Sequence, residues 1–253
     1  MEICAQAASD PGVFSRFRSE TAYLEVLDHV TQSEGAKYLK VLRRDYPELL
    51  RDSLDELRAN DIYGSPNTYQ YPDVGQISPT TLRYAKVLGD LSRLFGDLTG
   101  RRIIEIGVGY GGQCRLITSR WPVQSYTLID LKPALDLARV YLGKFANDPV
   151  MGFDQFEFKD PEADFVGPYD LCISNYAFTE LSREMQEHYV GGVIRDSHAG
   201  YMICNFISGR FGIDSMSPEE LLALHPGAQW LPEEPLTHPD NRILVWGRPS
   251  RER

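Results

Sequence analysis

Glu105, Gly107, Gly109, Gly111, Gly112 and Asp130 are the residues of this chain whose types and spacing suit chemistry. Glycines repeated just after a strand reach backbone angles closed to other residues and let a ligand lie against main-chain N–H groups. Asp130 stands 23 residues after Gly107, near the roughly 20-residue offset at which an acid meets ribose hydroxyls. Together they suit the binding of a nucleotide-type cofactor at a strand's carboxyl end. Gly107, Gly109 and Gly112 also satisfy the dinucleotide pattern G-x-G-x-x-G, which is weak by itself. Glu105 argues against a dinucleotide, because a carboxylate two residues before the first glycine opposes a pyrophosphate, which needs donors and positive charge. S-adenosylmethionine carries a sulfonium cation and an ammonium group, and an acid suits both. The alternatives are a solvated strand end for Glu105 and a helix N-cap for Asp130.

These residues need strands and helices to place them. Residues 102–106 read as a strand running into the glycine turn, and 113–120 as the helix after it. Residues 125–130 form a second strand, 153–158 a third ending at Lys159-Asp160, 169–174 a fourth and 200–206 a fifth, with 230–231 and 242–246 as the last two. Helical stripes at 134–145 and 183–195, and the capping-box spacing Ser217-Pro-Glu-Glu220, separate them. The alternation predicts an α/β protein with a mostly parallel sheet covered on both faces. Upstream, residues 18–60 carry a helical pattern, and 61–78 read as a long loop rich in Gly, Pro, Asn and Tyr. Tyr63, Tyr69 and Tyr71 of that loop suit stacking on a sugar or ring, or simple packing. Ser78 and Pro79 then open a helix that ends near Gly96. Two domains are expected: 1–77, a helical region with a lid-like loop, and 78–253, the catalytic domain.

Composition narrows the classes. The 253 residues are 42% hydrophobic and 25% charged, ordinary for a globular chain. A net charge of −10 argues against nucleic acid as the main partner. No apolar run is long enough for a membrane span, and the opening residues show no basic leader before an apolar core, so a cytoplasmic location is expected. Cys4, Cys114, Cys172 and Cys204 form no C-x-x-C pair, so neither a zinc knuckle nor a disulfide framework is signalled.

Residues 104–112, 126–131 and 173–183, with Ser78-Pro-Thr-Thr-Leu-Arg-Tyr84 upstream, resemble the sugar O-methyltransferase family, inside the class I S-adenosylmethionine-dependent superfamily. The similarity runs from about Tyr63 to Gly247. It implies a Rossmann-like, seven-stranded sheet flanked by helices with a reversed terminal hairpin. It also implies roles: Glu105, Gly107, Gly109 and Gly111 in the first cofactor motif, Asp130 at the ribose, Leu131 beside the adenine, Asp160 near the adenine amine, and Ser174 and Asn175 beside the methionine part. The chain lacks the Asp-Asp pair of metal-dependent small-molecule O-methyltransferases, so no metal site is named.

Methyl transfer to a hydroxyl needs alignment and a base. Glu180 faces the acceptor side if the segment after Asn175-Tyr176 is helical, or is a first-turn acid complementing the helix dipole. His238 lies in a polar loop before the last strand and is a base or a turn residue. Tyr71 and Tyr176 are candidate acceptor contacts, and Arg83 meets the cofactor carboxylate or a surface acid. The expected partner is a small-molecule acceptor in biosynthesis, a sugar or glycosylated metabolite, with homo-oligomer formation left open. Open alternatives are a natural-product O- or N-methyltransferase, an NAD-dependent oxidoreductase, and a binding protein without chemistry.

Overall fold

A computed structural model of the chain describes residues 1–25, 27–148 and 151–247. They form two compact units, which interleave along the sequence. The last residues of the expected catalytic domain, 248–253, lie outside the described residues.

The first unit holds residues 1–96, 109–122 and 132–153. Its helices are α1 (Glu2–Ser9), α2 (Pro11–Phe14), α3 (Thr21–Leu24), α4 (Gln32–Asp45), α5 (Pro47–Asp52), α6 (Leu54–Ala59), α7 (Pro79–Phe95), α8 (Gly112–Arg120) and α9 (Lys132–Gly143). The continuous helical pattern expected over 18–60 is thus divided. The divisions fall where caps compete with helix continuation: Thr31 and Glu34 form a capping box that opens α4, and Pro47 opens α5 at its first position. The stretch expected as a loop contains a small hairpin, β1 (Tyr69–Tyr71) and β2 (Gly75–Ile77). Its turn uses Asp73 and Gly75 at positive φ, a signal that alternating polar and apolar residues over only three positions do not carry. Ser78 caps α7 by accepting from the Thr81 N–H at 3.1 Å, and Gly96 at φ 76° ends it.

The second unit holds residues 97–108, 123–131 and 154 onward. It contains a seven-stranded sheet of β3 (Arg102–Ile106), β4 (Ser125–Ile129), β5 (Phe156–Lys159), β6 (Tyr169–Asn175), β7 (Ser197–Cys204), β8 (Gln229–Pro232) and β9 (Arg242–Trp246). The order is β5-β4-β3-β6-β7-β9-β8. Pairs from β5 through β7 are parallel, and β9 runs antiparallel to both neighbours. The reversed terminal hairpin is therefore present, and the fold is a Rossmann-like α/β sheet with the order changing direction at β3. Ligands in such sheets sit outside the carboxyl ends of the strands at that switch point. Ile104, Ile106, Ile129, Cys172, Met202 and Leu244 of the sheet form one buried cluster with Tyr189, Val193, Ile194 and Leu221. The last three come from the segment after α10 (Arg183–Tyr189) and from α11 (Pro218–Leu222). The helix expected to run to residue 195 gives way to a wider π turn at Val190–Ile194, where Gly191 and Gly192 favour continuation least. Among the described residues no helix is long and apolar enough to cross a membrane.

Candidate active site

Strand register brings the candidate residues of the second unit into a row. Ile106 pairs with Ile129 and with Ser174, Ile129 pairs with Lys159, and Asn175 pairs with Ile203. The residues one step further along, Asp160, Asp130, Gly107 and Asn175 itself, therefore stand side by side at the carboxyl edge. Asn205 follows the end of β7, two residues beyond Ile203 of that row.

Glu105 is 2% exposed, so it is no solvated strand end. The Tyr126 hydroxyl donates to its Oε2 at 2.6 Å. Burial pushes the carboxyl up to about 7, the Tyr126 hydrogen bond opposes that, and the negative charge of Asp130 adds to it. Because the folded value lies above the ordinary one, the stability from this group is complete below about pH 4.5 and is lost as pH rises through about 7. Urea unfolding between pH 4.5 and 8 is expected to show a fall of at most about 3 kcal/mol from this group. Glu105→Gln is expected to flatten that slope, and an unchanged slope would contradict the assignment.

Gly107, Gly109 and Gly111 adopt φ of 80°, 56° and 86°, and the chain passes from the second unit to the first after Val108. The Gly107 N–H donates to Ile129 O at 2.8 Å. A Cβ on Gly107 would overlap the side chain of Ala177, so both its angle and its surroundings demand glycine. Gly109 lies against Leu27 and Gly111 against Leu142 within the first unit.

Asp130 is half-buried, and its Oδ1 accepts from the Leu131 N–H at 2.7 Å. Leu131 is 52% exposed, an apolar side chain left at the strand edge where a ring could lie against it. Asp160 is exposed at the end of β5. The Ser174 hydroxyl is committed to the fold: it donates to Ile106 O and accepts from the Phe178 N–H, both at 3.1 Å. Asn175 differs, because both polar atoms of its amide are buried without a hydrogen-bond partner.

Tyr176 follows with φ 70°, and its hydroxyl donates to Glu233 Oε1 at 2.5 Å. Glu180 ends a 3₁₀ turn rather than opening a helix, so the dipole argument does not apply. It is exposed, and its Oε1 accepts from Asn205 Nδ2 at 2.6 Å. Asn205 also bonds Thr179 through its N–H and Oδ1, at 3.1 and 3.2 Å. His238 Nε2 lies 3.2 Å from Arg210 Nη2, and Nδ1 lies 3.7 Å from Asp240 Oδ2. A guanidinium only donates, so the Nε2 lone pair faces Arg210 Nη2.

Tyr71 and Arg83 belong to the first unit. Tyr71 is buried and donates to Gln32 O at 3.0 Å, so its hydroxyl is committed inside the unit. Arg83 is buried, donates to Leu27 O at 3.4 Å and lies over the Tyr84 ring; it is no surface residue.

Sequence reasoning passed over Asn205, Glu233 and the residues that hold Tyr110 in the glycine turn. Asn205 ends a strand just as Asp130 does, so the same strand-end rule would have found it. Glu233 has no local signal. Tyr110 is buried among Phe17, Tyr23, Tyr84 and Tyr141, with the Arg18 guanidinium 4.7 Å from its ring centre and Asn60 donating to its hydroxyl at 3.3 Å. Among the described residues no group of three or more His, Cys, Asp and Glu is placed to hold a metal ion.

No family model and no curated protein matches the chain. Solved structures with a similar fold include the pyocyanin biosynthetic protein PhzM, 14% identical over 87% of this chain and 74% of that one, TM-score 0.46. The methyltransferase domain of bacterial CtHen1 is 14% identical over 64% of this chain and 96% of that one, TM-score 0.47. M. capricolum TrmK in complex with S-adenosyl-homocysteine is 12% identical over 63% of this chain and 66% of that one, TM-score 0.41. These likenesses assign no residue and no acceptor.

Proposed function

We propose that the chain is an S-adenosylmethionine-dependent methyltransferase whose acceptor is a hydroxyl of a sugar or glycosylated metabolite. The observation that carries this reading is the pair of acids, Glu105 and Asp130, placed near the carboxyl ends of the paired strands β3 and β4 beside the glycine turn. The Asp130 carboxylate and, as pH rises through about 7, that of Glu105 behind it repel a pyrophosphate and attract a cation, while Asp130 remains suited to ribose hydroxyls. The unpartnered Asn175 amide and the exposed Leu131 along the same edge fit the amino-acid and ring ends of that cofactor. The same acids disfavour an NAD-dependent oxidoreductase. When bound, S-adenosylmethionine supplies an electrophilic methyl group on a sulfonium.

The residues of the chain would then bind and orient the acceptor and take its proton. Glu180, exposed and held by Asn205 through Oε1, is the base in this reading; His238, whose Nε2 faces Arg210, is the second candidate. Phe206 and Trp230 stand edge to face at 6.1 Å with Arg242 over both rings. Polar groups beside aromatic rings are what a sugar needs for hydrogen bonding and stacking. Phe211 and Leu236, 73% and 54% exposed, favour a second reading in which part of the acceptor is apolar, as in a natural product.

Transfer of a tritiated methyl from the cofactor to a panel of sugar and aglycone hydroxyls tests the reading. The expected result is labelled product in the wild type, and a kcat lower by about 10²–10⁴ in Glu180→Gln with S-adenosylhomocysteine binding retained. Full activity in Glu180→Gln would remove it as the base, and binding without transfer to any hydroxyl would contradict the catalytic reading.

A further inference from the structure

The carboxyl end of β6 carries two features that strand pairing does not require. Tyr176 adopts φ 70° and ψ −30°, a left-handed conformation that is uncommon and strained for an aromatic residue. Beside it, Asn175 buries both polar atoms of its amide without a partner, a costly state in which to leave a hydrogen-bonding group. Strain next to an unsatisfied amide, the amide standing in the row that includes Gly107 and Asp130, marks a place prepared for something the protein binds.

Two contacts hold Tyr176 there. Its N–H donates to Ile203 O at 2.7 Å, which continues the β6–β7 ladder. Its hydroxyl donates to Glu233 at 2.5 Å. Glu233 is buried just after β8, and its carboxylate also accepts from the Thr237 N–H at 2.7 Å, from the Thr237 hydroxyl at 2.7 and 2.9 Å, and from Asn241 Nδ2 at 3.5 Å. The β8–β9 connection therefore fixes this carboxylate from several sides. The carboxylate in turn fixes the Tyr176 ring.

We propose that Glu233 is a positioning residue: through the Tyr176 hydroxyl it holds the Asn175–Tyr176 turn so that the Asn175 amide faces the amino-acid end of the bound cofactor. An amide offers an acceptor to an α-ammonium and donors to an α-carboxylate, and at the end of β6 it stands across Gly107 from Asp130, the candidate ribose ligand at the end of β4. The inference rests on the methyltransferase reading above. It goes beyond that reading in assigning a task to a carboxylate and a phenol that act on the ligand only through Asn175.

The test uses two ligands and the full-length chain. S-adenosylhomocysteine carries the amino-acid end, whereas 5′-methylthioadenosine keeps the adenosine and sulfur without it. Calorimetric titration of both is compared in the wild type, Tyr176→Phe, Glu233→Gln and Asn175→Ala, with thermal unfolding recorded for each. Each variant is expected to bind S-adenosylhomocysteine about tenfold more weakly and 5′-methylthioadenosine with unchanged affinity. Adding Tyr176→Phe to Asn175→Ala is expected to cause little further loss, because the two act through one contact. Equal weakening of both ligands would show only a structural tie and overturn the proposal, as would unchanged affinity for S-adenosylhomocysteine in Tyr176→Phe and Glu233→Gln. If the wild type bound neither ligand, the methyltransferase reading itself would fall and the proposal with it; that outcome is distinct because it appears before any substitution.

Discussion

Replacing Gly107 by alanine is expected to destabilise the protein by roughly 2–5 kcal/mol and to eliminate measurable S-adenosylhomocysteine binding. Two costs combine. At φ 80° an L residue loses about 1–2 kcal/mol to the left-handed conformation, and the new methyl would collide with Ala177, an overpacking that costs about 1–3 kcal/mol. Relief by movement of Ala177 would displace the segment that carries Tyr176, and relief by movement of the turn would displace its N–H groups. Gly212→Ala separates the two costs, because Gly212 has a left-handed backbone at φ 70° and ψ 18° but nothing within 4 Å of its Cβ position. Urea unfolding should place Gly212→Ala near about 1 kcal/mol and Gly107→Ala well above it. Equal losses at the two positions would mean that the contact with Ala177 is not what restricts the turn.

Arg18→Met is expected to cost roughly 3–5 kcal/mol, the range for leaving buried charges unpaired. Arg18 is 0% exposed, its Nε donates to Asp28 at 2.7 Å, and its Nη1 reaches Asp61 at 3.2 Å and Asn60 O at 2.9 Å. Asp61 also receives the Ser78 N–H and the Ser78 and Thr81 hydroxyls, at 2.7, 2.8 and 2.7 Å, so the network joins the start of α7 to the N-terminal helices. The same guanidinium covers Tyr110 between Gly109 and Gly111, and weaker S-adenosylhomocysteine binding should accompany the loss of stability. The exposed pair Arg16–Glu20, at 2.7 Å, provides the comparison: Arg16→Ala should change stability by less than about 1 kcal/mol. Denaturant midpoints of the two variants decide the matter, and similar small losses would show that the buried network contributes little.

Much of the sheet was legible because its signals are local. Apolar runs of strand length, the glycine cluster at 107–112 and acids at strand ends are properties of a few neighbouring residues, and β9 fell where its pattern placed it. The boundaries of other elements depended on competition between neighbours. Caps at Thr31 and Pro47 cut one helical pattern into several helices, and a glycine pair widened the end of another. In the candidate site, sequence could place Glu105 at a strand end but not foresee its complete burial under the Tyr126 hydroxyl, since that bond joins strands 21 residues apart. Glu233 and Arg18 were illegible for the same reason. Their hydrogen-bond partners lie up to 57 and 60 residues away, and no spacing rule links a loop carboxylate to a tyrosine after a distant strand.

The central claim is that the acid-flanked glycine turn binds S-adenosylmethionine. Calorimetric titration of the wild-type protein with S-adenosylhomocysteine and, in parallel, with NAD tests it most directly. The account predicts micromolar binding of S-adenosylhomocysteine and no binding of NAD. NAD binding without S-adenosylhomocysteine binding would contradict the reading of Glu105 and Asp130, and binding of neither would contradict the assignment of a cofactor to this turn.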